Sequence, residues 1–483
     1  MRDYIDSLGE LSKHQLILAL ARQRLAETEP AAVVGMACRF PGGISDPAAF
    51  WATLVSGRVV LDESRGIPRM STGAPRWNVA APDLAPYADL LARGSYLTDV
   101  DLFDPEPFGI GEDEALYMDP QQRLLLTTAA AALADAGLDA PTERSVGVFV
   151  GVSTVEYNLA GLRNGADPSP WMGTGGALSA TAARVASALR LNGPALTVDT
   201  ACSSALTALH LAVGALRRRE CDVAVVGACH LLLSPYTSVV FDRAGMLSPT
   251  GRSLPFDGRA DGHVRGEGCG VLVLRREREA RADGVRPYAS VCGGSVHQHG
   301  DRPGLAAVSA AGQRRTIRQA LHAADLPPHD VHYVEAQANG SRIGAVVELE
   351  TLAAAYDRGP DAPPLYVGSA KANLGYLETA SGAAALIKTV LALHHGVIPP
   401  QPGPPALDPA VPWDRIGIEV PTRPLSWPTA ERRRAGVSAF GFTGTNAHVL
   451  LEATDEPAVP AASPADVAPV TGRSYWPAVN AWS

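Results

Sequence analysis

The 483-residue chain has no run of about 18 uncharged apolar residues, the length a membrane-spanning helix needs. Its N-terminus, MRDYIDSLGELSKHQL, carries acids early and has no apolar h-region, so no secretory leader is expected. Cysteine is sparse. Cys38, Cys202, Cys221, Cys229, Cys269 and Cys292 are scattered among apolar neighbours, and none forms a CxxC pair. Reduced thiols and a cytoplasmic protein follow as expectations. Positive charge is also short: 41 Lys and Arg stand against 50 Asp and Glu, a net charge of −9. That argues against a nucleic-acid-binding protein. No GxxxxGK[ST] loop is present, so the glycines of GEGCG and GFTGTN are not read as a nucleotide cradle.

What remains is globular. Hydrophobic residues make up 46% of the chain and charged residues 19%, enough apolar material for a large core. Short apolar runs rich in Val and Ala read as buried strands: 31–36, 146–152, 195–201, 223–228, 270–274, 288–296, 331–336, 365–370 and 436–440. Helical patterns lie between them, among them PQQRLLLTTAAAALADAG, CSSALTALHLAVGALRRR, AAGQRRTIRQALHAA and SGAAALIKTVLALHH. This alternation predicts a layered α/β fold. Residues 1–28 read as one helix, with Leu8, Leu11, Leu16, Leu18, Leu20 and Leu25 interleaved with charges and Pro30 ending the pattern. It packs on the body or a second copy, or docks another protein. The Pro/Ala-rich tail from 454 reads as a linker that Tyr475, Trp476 and Trp482 tack back onto the body.

The most informative stretch is VDTACSSAL, 198–206. An apolar strand ends at Val198, small residues follow, and Cys202 opens a helix whose apolar face is Leu206, Leu209, Val213 and Leu216. A helix N-terminus stabilises a thiolate through its dipole and unpaired N–H groups, so a lowered thiol pKa is expected. Ala201, Ser203 and Ser204 leave room for a substrate carbonyl. The other five cysteines read as inert core residues.

At this point the chain resembles a beta-ketoacyl synthase domain of a modular polyketide synthase. The matching motifs are VVGMACRFPGG (33–43), DLFDPEPFGI (101–110), MDPQQRLLL (118–126), VDTACSSAL, GMLSPTGRSLPFDGRADGHVRGEGCGV (245–271), KANLGYLETASG (371–382) and GVSAFGFTGTNAHVLLE (436–452). They run in order over roughly 30–453. The resemblance implies the thiolase fold, two similar α/β halves in five αβαβα layers, as a homodimer. It divides the chain into an N-terminal docking or dimer-packing helix (1–30), a first half with the nucleophile (31–275), a second half (276–453) and a linker (454–483). It implies Cys202 as acyl acceptor, with an oxyanion hole from the backbone N–H groups of Cys202 and Phe442. It also implies a transferase of polyketide and antibiotic biosynthesis that has no cofactor of its own, its substrate arriving on the phosphopantetheine arm of an acyl carrier protein.

The resemblance breaks where the family decarboxylates its extender unit. The family's two histidines stand in EAHGTGT and NIGH. Here EAQANGS (335–341) places Gln337, and KANLGY (371–376) places Tyr376, at those positions. GAVVE (344–348) replaces GDPIE through Ala345 and Val346, and Thr443 replaces a glycine of FGFGGTN. Losing one donor to a developing oxyanion costs about 2.7–4 kcal/mol. Neither replacement shuttles protons well near pH 7. Lys371 and Glu348 are retained, Glu348 as an anchor of the active-site loops. The expectation is acyl transfer through Cys202 without chain extension. Ring closure or ester/amide formation from the Cys-bound chain, and a catalytically silent partner subunit, stay open. An elongating enzyme using Gln337, Tyr376 or a nearby His also stays open. No further synthase domain follows residue 483, which fits a stand-alone protein and a trimmed piece of a larger one equally.

Weaker signals remain. SVHQHGD (295–301) holds His297 and His299, whose spacing on a strand puts both rings on one face. No third ligand accompanies them, so no metal is expected. His263 is read as local packing, and His448 as non-catalytic. Arg217, Arg218 and Arg219 close the Cys202 helix, as complements to its dipole or as a carrier-protein contact.

Overall fold

A computed structural model describes residues 12–63, 65–138, 143–163, 168–300, 304–403, 406–429, 432–454 and 472–476. Eleven strands form one hydrogen-bonded sheet. They are β1 (Ala31–Arg39), β2 (Val146–Gly151), β3 (Ala195–Val198), β4 (Val223–His230), β5 (Gly268–Arg276), β6 (Ala289–Gln298), β7 (Tyr333–Glu335), β8 (Leu365–Gly368), β9 (Ile418–Glu419), β10 (Arg434–Phe440) and β11 (Thr445–Ala453). The spatial order is β9-β8-β7-β10-β11-β6-β1-β5-β4-β2-β3.

That order contains a repeat. From its outer side to the junction, the first half runs β3-β2-β4-β5-β1 and the second β8-β7-β10-β11-β6. In each half the first three strands are parallel and the last two pair antiparallel. The halves join where Ala31, Ala32 and Val33 pair antiparallel with Val291, Ser290 and Ala289.

Seven helices matter here: α1 (Lys13–Thr28), α2 (Pro120–Asp135), α3 (Leu178–Ala188), α4 (Ser204–Arg217), α5 (Ala310–Ala324), α6 (Arg342–Ala355) and α7 (Ser381–His395). α2 and α3 cover the outer face of the first half, and α5 with α6 the outer face of the second. α4 and α7 lie between the halves and touch strands of both. The result is five αβαβα layers, as expected. α4 follows β3 as α7 follows β8, so the repeat brings two helix N-termini to the middle of the molecule. The middle layer has no solvent-facing side, and accordingly Ala383 through Leu393 of α7 are all buried. The α4 residues Leu206, Leu209, Val213 and Leu216 are buried as their spacing foretold, each worth about 1.5–3 kcal/mol. The close approach of α4 and α7 needs Gly382, where a Cβ would meet Leu206 Cδ1 at 2.7 Å and Ala205 Cβ at 2.9 Å.

All nine expected strands are present, with two differences. The 195–201 run shortens to β3, and it is an edge strand rather than a buried one: Ala195 and Leu196 are exposed. Two strands of this sheet were not anticipated, β9 and the nine-residue β11. α1 begins at Lys13, capped by Ser12 and Gln15, so Leu8 and Leu11 lie outside the described residues. Leu18, Leu20 and Leu25 are exposed rather than packed on the body. Of the tail, Arg473–Ser474 pairs with Leu102–Phe103. Tyr475 is buried, its carbonyl accepting from Arg123 at 2.6 Å, and Trp476 stands edge-on to Tyr157. Trp482 lies outside the described residues.

Candidate active site

Cys202 sits in the turn between β3 and α4. Ala201–Ser203 form a single 3-10 turn and α4 starts at Ser204, so Cys202 precedes the helix rather than opening it. Ala201 has φ +54°, a left-handed conformation that costs a residue with a Cβ of the order of 1 kcal/mol or more. Hydrogen bonds hold it there. Asp199 accepts from Ala201 N at 2.9 Å, while Ser204 Oγ accepts from Thr200 N at 2.8 Å and donates to Ala201 O at 2.7 Å. Strain held by this many local bonds fixes where the sulfur points.

The hairpin between β10 and β11 closes against this turn. A Cβ on Gly441 would stand 2.8 Å from Thr200 O, so only glycine permits the approach. The next residue, Phe442, lines the cavity together with Cys202, and the backbone N–H groups of both draw the thiol pKa down. Thr443 lines the cavity above them.

Tyr376 comes from the loop between β8 and α7, the place that corresponds in the repeat to the Cys202 turn. Its backbone is pinned on both sides: Tyr376 N donates to Val264 O and Gly266 N donates to Tyr376 O, each at 2.8 Å. Its hydroxyl accepts from Gln337 Nε2 at 3.2 Å, and Tyr376 lines the same cavity as Cys202. Gln337 is set by Glu348 of α6, whose carboxylate accepts from Gln337 N at 2.7 Å and Ala338 N at 2.9 Å. Lys371 Nζ donates to Ala336 O at 3.2 Å and lies 6.0 Å from the centre of the Tyr376 ring. A buried ion pair supports both loops. Lys388 of α7 meets Glu335 at 2.7 Å, and Glu335 also accepts from Ala370 N at 2.6 Å.

The electrostatics differ from expectation at the nucleophile. Burial pushes the Cys202 thiol up, and Glu378 adds to this; the Tyr376 hydroxyl and the two N–H groups pull it down without overcoming burial. The net direction is upward even though the thiol immediately precedes a helix. Burial raises the Glu348 carboxyl to about 7 and lowers Lys371.

A second cluster lines the same cavity and was missed in the sequence. Glu378 has φ +45° and is held at about 2, against its burial, by Arg265 and His230, whose Nε2 lies 3.2 Å away. The His263 ring stands edge-on to Tyr376, centroids 5.0 Å apart, and burial lowers it to about 4. His263 is therefore a wall of the site as well as packing. The signal was two residues beyond Tyr376 in a motif already singled out.

The remaining sequence-derived residues divide. Ala345 lines the cavity, whereas Val346 packs into the outer core of the second half. His299 lines the cavity, but His297 lies on β6 outside its lining, so the two do not act as a pair there. Among the described residues no group of three His, Cys, Asp or Glu is placed to hold a metal ion. His448 is fully buried between Tyr356 and Ser438. Cys38, Cys221, Cys229 and Cys269 are buried and Cys292 partly so. Arg217 turns inward to the carbonyls of Glu29 and Cys292, Arg218 pairs with Glu220 and Arg219 with Glu279, so this run is no open basic patch. No helix among the described residues is long and apolar enough to cross a membrane.

The cavity holds about 770 Å³, with Cys202 in its wall beside Gln337, Tyr376, Glu378 and Phe442. That volume suits a small-molecule chain rather than a macromolecular surface. A cavity-lining thiol between two repeated α/β halves is the arrangement of the thiolase fold. Family models then match almost the whole described body: beta-ketoacyl synthase N-terminal domain over 28–280, C-terminal domain over 288–403 and the ketoacyl-synthetase C-terminal extension over 408–477. The chain belongs to the beta-ketoacyl synthase family, among the ketosynthases of polyketide synthases. It is 43% identical over 460 residues to one chain of the phenolphthiocerol/phthiocerol polyketide synthase of Mycobacterium tuberculosis, covering 94% of this chain and 24% of that protein. Another chain of the same synthase and species is 41% identical over 475 residues, covering 95% and 21%. The protein thus spans about a quarter of the length of these relatives. The ketosynthase from module 6 of the bacillaene synthase of Bacillus subtilis 168 superposes with TM-score 0.79 at 34% identity, covering 89% of this chain and 73% of that one. An oxazolomycin ketosynthase domain from Streptomyces albus JA3453 gives 0.77 at 33%, covering 89% and 76%.

Proposed function

We propose that this ketosynthase moves an acyl chain through a Cys202 thioester without decarboxylative extension. The observation that carries this is the pair Gln337–Tyr376 beside Cys202 in one cavity wall. Both positions that would hold imidazole hold groups that do not exchange protons near neutral pH, and the Gln337 amide donates to the Tyr376 hydroxyl. Cys202 Sγ attacks the thioester carbonyl of a chain carried on the phosphopantetheine arm of an acyl carrier protein. The N–H groups of Cys202 and Phe442 meet the developing oxyanion, the carbon–sulfur bond to the carrier breaks, and the carrier thiol takes the proton that Cys202 gave up. The reverse exchange delivers the chain to a second acceptor. The protein needs no cofactor of its own for this.

A homodimer is part of the proposal. β3 leaves one edge of its ladder unpaired, and Leu196 on it is 45% exposed. Natural proteins rarely leave an apolar edge strand open, and two copies pairing these edges about a twofold axis would cover it. Sedimentation should then give about twice 50.4 kDa.

The test is intact-protein mass after mixing with an acyl-loaded carrier protein. The expected result is one acyl adduct on Cys202, transferable to a second carrier, with no carbon dioxide release from a malonyl carrier. An unacylated Cys202 would leave the protein a catalytically silent partner. Release at an elongating enzyme's rate would make it an extender.

A further inference from the structure

Among the described residues, the buried side-chain polar atoms of the cavity wall that lack a hydrogen-bond partner are both amide oxygens: Gln313 Oε1 on α5 and Gln337 Oε1. We infer that the cavity takes an acyl chain carrying a hydroxyl or amide N–H donor, and that Gln313 is the residue that selects it. This rests on the acyl-transfer reading above and names the kind of chain that Cys202 receives.

α5 buries Gly312, Gln313, Thr316, Ile317, Ala320 and Leu321, a stripe at helical spacing that faces inward. Apolar or internally bonded side chains suit such a stripe. Thr316 fits it, because its hydroxyl donates to Gly312 O at 2.9 Å. Gln313 does not: it is 4% exposed, and its oxygen has no partner in the protein. An unpaired buried amide oxygen is costly, and leucine or methionine would remove the cost at similar volume. A ligand that donates a hydrogen bond removes it too, and Gln313 lines the cavity that such a ligand enters.

The surroundings of Gln313 make this part of the cavity polar. Ser309 caps α5, its hydroxyl accepting from Gly312 N at 3.2 Å. The first turn then lies so close to β6 and β11 that a Cβ on Gly312 would stand 2.9 Å from His299 Cβ and 3.0 Å from Asn446 Nδ2. His299 and Asn446 line the same cavity. Val308 and Ile343 line it as well, and at 51% and 77% exposure they mark its mouth. Gln313 is inward of that rim, where the carried chain reaches and the carrier protein does not. Gln337 repeats the pattern: Nε2 is spent on the Tyr376 hydroxyl at 3.2 Å, and Oε1 is left to accept. A saturated chain offers neither oxygen a partner, whereas a hydroxyl or an amide N–H does. Gln313 makes and breaks no covalent bond; it pairs with the chain while Cys202 exchanges the thioester.

The experiment is acylation of Cys202 by one carrier protein loaded in turn with octanoyl, β-hydroxyoctanoyl, δ-hydroxyoctanoyl and N-pentanoylglycyl chains. It is read by intact-protein mass in the full chain, in Gln313→Leu and in Gln313→Met. Beside it, non-transferable pantetheine amide analogues of the same chains are tested for protection of Cys202 from iodoacetamide. The parent should take at least one donor-bearing chain with kcat/KM about tenfold above octanoyl, and the matching analogue should protect at about tenfold lower concentration. In Gln313→Leu both preferences should fall to about unity, with the octanoyl values within about twofold of the parent. Gln313→Met keeps the length of the side chain and gives a second reading should the leucine variant fold poorly. A parent with no preference in either assay would overturn the inference, as would a preference that persists in both folded variants. An equal loss for all four chains in the variants would place the donor on the phosphopantetheine arm and overturn its assignment to the chain. A parent protected selectively by donor-bearing analogues, yet taking no acyl chain, would sink the transfer reading and leave the selection by Gln313 standing.

Discussion

Restoring imidazole at the two altered positions gives the sharpest check on the site. Each donor to an enolate oxygen is worth about 2.7–4 kcal/mol, or roughly two to three orders of magnitude in rate, so losing both removes most of a decarboxylation step. The geometry adds a reason the replacements do not compensate. Gln337 Nε2 donates to the Tyr376 hydroxyl, so that amide N–H is not free for an enolate. In Gln337→His the Tyr376 ring still fills the second position. In Tyr376→His the first still holds an amide. We expect each single variant to release carbon dioxide from malonyl carrier protein within about tenfold of background, and the double variant to exceed the product of the singles, because groups acting on one charge are non-additive. Recovery should stop short of an ordinary elongating rate, since Ala345 and Thr443 also reshape the cavity wall. Cys202 acylation should survive all three variants. The assay is carbon dioxide release beside burst acylation by mass. An unaltered protein that already turns over like an elongating enzyme would refute the reasoning, as would one single variant recovering as much as the double.

Three further outcomes follow from other parts of the molecule. Cys202 should be the only cysteine acylated, and Cys202→Ala should take no label; comparable label on Cys221 or Cys292 would contradict the strained-turn argument. Lys388→Met leaves Glu335 buried without its cation, and should cost about 3–5 kcal/mol, read as a lower urea midpoint at unchanged slope. A loss below about 1 kcal/mol would show that the pair supports the two loops little. His263 and His448 are buried with pKa values lowered from 6.5 to about 4 and about 3. The unfolded chain binds these protons first as pH falls, so the contribution of each ring is full above about 6.5 and declines toward 4, at about 1.4 kcal/mol per pH unit. Glu378, held at about 2, adds a loss below about 4.5, while Glu348 and Asp119, raised to about 7, oppose the decline because the folded chain binds their protons first. The rings are therefore read by difference: a folded His448→Gln variant whose urea midpoint has the same pH slope as the parent between pH 6.5 and pH 5 would refute this.

Much was legible from residue order alone. Strand and helix alternation marked the layers, because a strand covered on both faces must be apolar throughout, and β4 and β5 are buried along their whole length. Cys202 stood out because a thiol among small residues between a strand and a helix is a rare local pattern. Gln337 and Tyr376 stood out as departures from the family's motifs. β11 was missed because its TNAHVLLE run was read for chemistry rather than period. β3 was misjudged because ALTV has the same composition at an edge as in a core.

What tertiary structure decided is everything that depends on distance across the chain. The rise of the Cys202 thiol comes from burial by segments remote in sequence, which a helix-terminus argument does not contain. The bond from Gln337 to Tyr376 joins residues 39 positions apart, and Tyr376 comes to line one cavity with a Cys202 from the other half of the repeat. Separating His297 from His299 took the end of one strand, and recruiting His263, His230 and Glu378 to one cluster took three distinct segments. Local sequence sets which groups are available and which way a turn is strained. Hydrogen bonding and desolvation act over a few ångströms, so only the packing of the two halves determined which of those groups meet the sulfur.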